Sequence, residues 1–166
     1  IFRLATVDAD LEVLSLANAI MKKFGADDGM YQIKIHSREL INLIMTQYLE
    51  LDAVQAKQMV RLFDKKDKLK PEDFAEQAKV IFKDDQQKDS LEKLGVLLNA
   101  QSLADLPEML RESQAVKEVQ VLFTLLAEHE VSAAVFDITL MRGFDYYTDI
   151  VFEVFDLIQK IIEQCL

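Results

Sequence analysis

The chain has 166 residues, of which 51% are hydrophobic and only two are proline. A chain of this length and composition can bury one ordinary globular core, which excludes a largely disordered protein. Its formal net charge at pH 7 is −10. Because surfaces that bind nucleic acid are usually basic, this charge argues against strong RNA binding by the isolated chain.

The sequence contains no feature that predicts a membrane, disulfide-rich or metal-binding protein. No apolar run approaches the roughly 20 residues that a membrane-spanning helix needs, and no secretory leader is recognisable. The single cysteine, Cys165, excludes an intrachain disulfide and a multi-cysteine zinc site. His36 and His129 are far apart and lack ligand-like neighbours, so no metal site is predicted. These features predict a protein of the reducing cytoplasm.

The first predicted element is a helix over residues 8–24. Gly25 ends it, because glycine readily adopts the left-handed conformation found after a helix C-terminus. Apolar residues recur along this segment with helical spacing and predict a stripe that faces the core. The stripe consists of Val13, Leu16, Ala17, Ile20 and Phe24, widened by Leu14 and Met21.

A short strand over residues 30–36 is predicted next. Its apolar and polar residues alternate, which is the pattern of a half-buried strand. Ser37 is predicted to cap the helix that follows, because its hydroxyl can accept a free backbone N–H group. The apolar side of the strand carries Tyr31, Ile33 and Ile35, and the polar side carries Gln32, Lys34 and His36.

From residue 51 onward the pattern becomes helical only. Asp52 is predicted to cap a helix over 53–63, Pro71 to begin a helix over 71–83, and 89–98 to form a third. Each segment has its own apolar stripe. Residues 51–112 are therefore predicted to form an all-α insertion that separates two parts of a mixed core, 1–50 and 113–166.

After the insertion, Ser113 is predicted to cap a helix that runs to about residue 129. Residues 132–140 and 148–155 have strand-like alternation and are predicted to pair antiparallel across the turn at 142–147. An amphipathic helix over 157–166 completes the pattern. The predicted fold class is α+β, with a partial antiparallel sheet backed by helices.

The turn between these two strands contains the residues best suited to chemistry. Arg142 could clamp a phosphate or carboxylate with two hydrogen bonds, and Gly143 permits a sharp backbone turn beside it. On spacing alone, a hairpin-stabilising ion pair between Arg142 and Asp137 or Asp145 is the simpler interpretation. A binding role for Arg142 and a purely structural one both remain open at this point.

Two tyrosines and a glutamate follow the Arg-Gly pair. Tyr146 and Tyr147 are adjacent, so on extended backbone they point to opposite sides and only one can enter a given pocket. Core packing is the default for such a pair. Glu153 fits a solvated strand position as well as a binding position.

The run from Arg142 to Glu153 closely resembles R-G-L-D-Y-Y-T-G-x-V-F-E, the signature of histidyl-tRNA synthetases, class II enzymes that activate histidine with ATP. Residues 5–13 resemble the A-D-A-E-V helix start of this family, and residues 31–40 resemble its strand-then-helix continuation. The resemblance covers most of residues 5–155. It is strong over 136–155 and weak over 51–130.

The resemblance implies roles for individual residues. Arg142 stands where the family contacts the α-phosphate of ATP, and Tyr147, with Tyr146 beside it, stands where the family recognises histidine. Gly143, Asp145 and Glu153 would support that site. It also implies ATP, with magnesium, as a substrate of the parent enzyme, a tRNA contact through the helical insertion, and a parent homodimer.

The chain departs from the family pattern in several places. Asp149 replaces the glycine that commonly follows Tyr-Tyr-Thr and adds a negative charge close to the expected ATP site. Motifs 1, 2 and 3 of class II synthetases and the anticodon-binding domain are not recognisable, and the pattern breaks at Asp156–Leu157, where residues of the parent are expected to be missing. We therefore expect a fragment of the catalytic region that is inactive alone and binds no cofactor tightly.

Two other functions remain open on the sequence. One is a non-catalytic relative such as the synthetase-like regulatory subunit of ATP phosphoribosyltransferase, although the complete string from Arg142 to Tyr147 argues against it. The other is a plain helical interaction module, supported by the amphipathic 51–110 region and the acidic charge. Histidine binding separates the synthetase-like functions from the interaction module.

Overall fold

The computed structural model describes residues 6–82, 87–141 and 149–158. These residues form an α+β fold in which helices back a three-stranded sheet, as the sequence predicted. The helices are α1 Thr6–Lys23, α2 Arg38–Leu43, α3 Ala53–Phe63, α4 Pro71–Ile81, α5 Gln87–Asn99, α6 Glu108–Arg111 and α7 Gln114–Glu128. The strands are β1 Tyr31–Ser37, β2 Ala134–Phe136 and β3 Ile150–Asp156.

The order of the strands corrects one sequence prediction. Strand β1 lies in the centre, pairs parallel with β2 and antiparallel with β3, and so separates the two strands that were expected to be neighbours. The predicted strand over 132–140 is also shortened to three residues. It stops because Asp137 turns the chain, accepting hydrogen bonds from the backbone N–H and the hydroxyl of Thr139.

Local signals at the helix starts are confirmed. The Ser37 hydroxyl accepts the backbone N–H of Leu40, and that of Ser113 accepts the N–H of Val116. Asp52 caps α3 as half of a capping box, in which the Gln55 side chain binds the Asp52 backbone N–H in return. These caps satisfy N–H groups that have no partner inside the helix, which is why serine and aspartate mark such positions.

The predicted apolar stripe of α1 is confirmed in part: Leu14, Ala17 and Met21 belong to or pack against the core, but the other four members are exposed. Leu16 is 58% exposed and Val13, Ile20 and Phe24 are also exposed, whereas Leu14 is 1% exposed and lies in the core. The buried side of α1 includes a polar residue, Asn18, whose side-chain oxygen accepts a hydrogen bond from the Tyr31 hydroxyl. That buried polar pair interrupts the apolar pattern from which the face was predicted.

The apolar interior consists of two clusters. The sheet core joins α1, the inner side of β1 and the later part of α7, with Leu14, Ile33 and Leu126 among its members. The helical core runs from Leu40 through α3, α4 and α5 to Val119, and includes Met141. It therefore extends past both ends of 51–112, and the three-part division at these positions stays a prediction.

The end of the described chain turns away from the sheet. The Leu157 backbone N–H donates to the Met30 carbonyl oxygen, and the Ile158 N–H donates to the Asp156 carboxylate. Neither Leu157 nor Ile158 is helical, and the rest of the predicted helix over 157–166 lies outside the described residues. Among the helices described, none is both long and apolar enough to cross a membrane.

Candidate functional site

The sheet presents a polar face on the side opposite the sheet core. The register of β1 and β3 sets Lys34 opposite Glu153 and His36 opposite Val151. Residues directly opposite each other project from the same side of a sheet, so these groups share one surface. We define the polar face by Gln32, Lys34, His36, Glu153 and Phe155, together with Asp137 at the end of β2.

An ion pair organises the middle of the polar face. The Lys34 ammonium lies 2.8 Å from a carboxylate oxygen of Asp137 and 4.5 Å from the centre of the Phe155 ring. Burial alone would raise the pKa of Asp137, but hydrogen bonds from Lys34 and Thr139 outweigh it and hold that pKa below its usual range. Asp137 therefore remains an anion that fixes the position of a cation on the sheet.

His36 is the buried member of the polar face. Its side chain is 2% exposed, and neither ring nitrogen has a well-formed hydrogen bond among the described residues. Burial is the main cause that lowers its pKa from 6.5 to about 4, and the Arg38 charge lowers it further. The Ser37 backbone and the Asp137 charge favour the protonated form but do not outweigh burial. At neutral pH His36 is therefore an uncharged imidazole held beside an ion pair.

Two acidic residues, Asp10 and Asp149, interact near the point where the chain enters β3. The Asp149 carbonyl oxygen accepts a 2.9 Å hydrogen bond from the Arg38 N–H, and this tethers the start of β3 to the start of α2. Partial burial and, secondly, the Asp149 charge raise the pKa of Asp10 to about 6. The additional negative charge at position 149 therefore acts on α1.

Of the predicted site residues, the structure describes Glu153, which lies on the polar face. The remaining five lie outside the described residues, so their roles stay predictions: Arg142, Gly143, Asp145, Tyr146 and Tyr147. The Asp137 carboxylate, which was one expected partner of Arg142, is bound by Lys34 and Thr139. No group of three or more potential metal ligands occurs within 6–82, 87–141 and 149–158.

The family model described as histidyl-tRNA synthetase matches residues 1–162 of this chain. The chain belongs to the histidyl-tRNA synthetase family. A histidine–tRNA ligase of Leptospira biflexa is 30% identical over 158 residues, which are 93% of this chain and 35% of the ligase. The chain therefore spans about a third of the length of such relatives.

The chain is also similar to a protein that has another name. An ATP phosphoribosyltransferase regulatory subunit of Halothermothrix orenii is 30% identical over 156 residues, covering 89% of this chain and 34% of the subunit. The fold agrees with a solved histidyl-tRNA synthetase from Nostoc sp. PCC 7120, with a TM-score of 0.74 at 18% identity, over 93% of this chain and 37% of that one.

Sequence reasoning placed Lys34 and His36 on the polar side of β1 but assigned neither a role in the site. The alternation of β1 carried that signal, since it separates the two residues from the apolar side. The contact between Lys34 and Asp137 had no sequence signal, because it depends on which strand lies beside β1.

Proposed function

We propose that the protein to which this chain belongs activates histidine with ATP and transfers it to tRNA. The observation that carries the proposal is the match of the histidyl-tRNA synthetase family to residues 1–162, which includes the full string from Arg142 to Glu153. In this proposal the polar face forms part of the floor of the site where histidine and ATP meet.

The proposed chemistry follows from the charges involved. A carboxylate oxygen of histidine attacks the α-phosphorus of ATP and forms the mixed anhydride histidyl-adenylate, while the bond to the β-phosphate breaks and pyrophosphate leaves. The negative charge that builds up on the phosphate oxygens during this step is stabilised by a fixed guanidinium. We assign that role to Arg142, with magnesium bound alongside ATP in the parent protein. Tyr147 would contact the histidine substrate, with Tyr146, Gly143, Asp145 and Glu153 supporting the arrangement.

The described contacts support a preorganised surface at this place. Lys34 and Asp137 neutralise one another at 2.8 Å, so the middle of the polar face is polar without a large net charge. His36 is neutral at physiological pH and does not repel a cationic substrate. A substrate with an ammonium, a carboxylate and an imidazole requires such mixed polar surroundings.

The remaining parts of the parent protein have proposed roles as well. We assign 1–50 and 113–166 to the catalytic core and 51–112 to the helical insertion that contacts tRNA. In this acidic chain alone, the tRNA contact is expected to be weak. The parent is expected to be a cytoplasmic homodimer. The chain by itself is expected to be inactive and to bind no cofactor tightly, because no motif 1, 2 or 3 is recognisable in it.

Calorimetric titration of this chain with histidine tests the binding part of the proposal. We expect saturable binding that Tyr147→Phe weakens. The matched change Tyr48→Phe, in the helical stretch Ile44–Tyr48 and next to Lys93, should leave it unaltered. A chain that folds normally but binds no histidine would contradict a substrate site here and favour the plain interaction module.

A regulatory, non-catalytic role is the second candidate, because the Halothermothrix orenii regulatory subunit matches as much of this chain as several ligases do. ATP–pyrophosphate exchange by the full-length parent protein separates the two. Exchange that depends on histidine, and that falls in Arg142→Gln but not in the exposed control Arg111→Gln, supports the ligase. Histidine binding without exchange by the full-length protein would assign the regulatory role.

A further inference from the structure

A cavity lies in the helical core, between α4, α5 and the short helical turn Lys66–Lys68 that precedes α4. The cavity has a volume of about 380 Å³. Pockets for small ligands usually measure about 300–1,000 Å³ and are lined mainly by apolar side chains with a few polar groups. The apolar residues that line it include Leu69, Phe74, Leu94 and Leu98.

A glycine keeps part of this cavity open. Gly95 lies in the interior of α5 and lines the cavity, and a Cβ atom built there would meet no other atom within 4 Å. Glycine weakens a helix interior relative to alanine, so it is expected where a close contact or a special backbone angle requires it. Neither applies to Gly95, and what its missing side chain provides is space in the cavity.

The charge of the lining indicates the kind of molecule that fits. Among the described residues that line the cavity, Lys66 is the one ionisable side chain, and Asn99 adds an amide. No carboxylate of the described residues belongs to this lining, although the whole chain carries ten more acidic than basic charges. An apolar cavity with one cation therefore complements an apolar molecule with one negative charge.

We propose that this cavity binds a small apolar carboxylate, with the hydrocarbon part among the leucines and Phe74 and the carboxylate paired with Lys66. The site is formed by the helical core alone and contains no residue of the polar face. The proposal is thus independent of the synthetase function, and the failure of either one leaves the other intact.

The test is a titration of the whole chain with octanoate, followed by ¹H–¹⁵N spectra, with octanol as the neutral probe of equal chain length. We expect octanoate to shift the amide signals of α4 and α5. It should bind about tenfold more tightly than octanol, because only octanoate forms the charge-assisted contact with Lys66, and partial exposure to solvent keeps this gain small. Unchanged α4 and α5 signals at saturating octanoate would overturn the site, and equal affinity for the two probes would overturn the role of the charge.

Matched variants locate the site. Lys66→Gln should weaken octanoate binding about tenfold and leave octanol binding unchanged, whereas Lys68→Gln, whose side chain is exposed and does not line the cavity, should change neither. Gly95→Leu should abolish binding by filling the space, and Gly95→Ala, which adds one methyl group, should retain it. Full binding by a folded Gly95→Leu protein would contradict the proposed location.

Discussion

The two sides of strand β1 differ in what they contribute to the molecule. On the covered side, Tyr31, Ile33 and Ile35 are 1%, 0% and 0% exposed and pack in the sheet core with α1 and α7. On the other side, Lys34 and His36 belong to the polar face. One strand thus anchors the fold with its odd-numbered residues and builds the candidate site with its even-numbered ones.

The comparison shows how a buried polar group is accommodated on each side. Lys34 is paired with the Asp137 carboxylate, whereas His36 forms no ion pair with any described residue and remains neutral instead. The covered side has a polar pair of its own, since the Tyr31 hydroxyl donates to Asn18. Each solution avoids the cost of an unmatched buried charge, and each can be broken separately.

The largest effect is expected on the covered side. Ile33→Ala should lower the free energy of unfolding by about 2–5 kcal/mol, because it removes buried methyl groups and leaves a cavity. Gln32→Ala, one position away on the polar face, should cost less than about 1 kcal/mol. Urea denaturation of both variants measures the difference, and equal losses would refute the division of β1 into two sides.

The next effect concerns pH and His36. Its pKa is near 6.5 in the unfolded chain and lowered to about 4 in the fold, so the unfolded state takes up a proton first as the pH falls. Neutral His36 therefore contributes about 3 kcal/mol to the free energy of unfolding above pH 6.5, and this contribution is lost as the pH falls from 6.5 to 4. His36→Asn should remove this loss.

Asp10 partly conceals that dependence. Its pKa is raised to about 6, so the folded state holds the proton of Asp10 more tightly than the unfolded state does. The contribution of this protonated carboxyl to the free energy of unfolding is lost as the pH rises from 3.8 to 6. The two slopes oppose each other over most of the same range. Comparison of Asp10→Asn with the Asp10→Asn/His36→Asn double variant isolates His36, and identical pH dependence in both would show that it does not titrate as described.

A smaller effect is expected from the polar pair on the covered side. Tyr31→Phe should cost about 1–3 kcal/mol, because it leaves the buried Asn18 oxygen without its hydrogen bond. Replacing both partners, as in Tyr31→Phe/Asn18→Leu, should recover much of that loss. Thermal unfolding of the single and double variants is the measurement, and additive losses would contradict a coupled pair.

The smallest effect is expected on α1, at the members of the predicted stripe that are exposed. Leu16→Ala should change the free energy of unfolding by less than about 0.5 kcal/mol, since Leu16 is 58% exposed. Leu14→Ala, on the side that packs beneath β1, should cost about 2–5 kcal/mol. A reversal of this order in urea denaturation would contradict the burial of the Leu14 side of α1.

The sequence by itself determined the local features of this protein. The caps at Ser37, Asp52 and Ser113 and the helix start at Pro71 were predicted correctly, because each depends on hydrogen bonds or backbone angles within a few residues. The two sides of β1 were predicted for the same reason, since alternation is a property of one strand. Family membership was also predicted from the sequence, by the motif from Arg142 to Glu153, and the family model matches residues 1–162.

Tertiary structure decided how these parts meet. The placement of β1 between β2 and β3, the contact of Lys34 with Asp137, and the burial of His36 all join residues that are far apart in the chain. The buried side of α1 was also decided by tertiary structure, because a helix with apolar residues on two sides buries the side that its neighbours cover. Local patterns specify which surfaces a segment offers, and the choice among them depends on packing against the rest of the molecule.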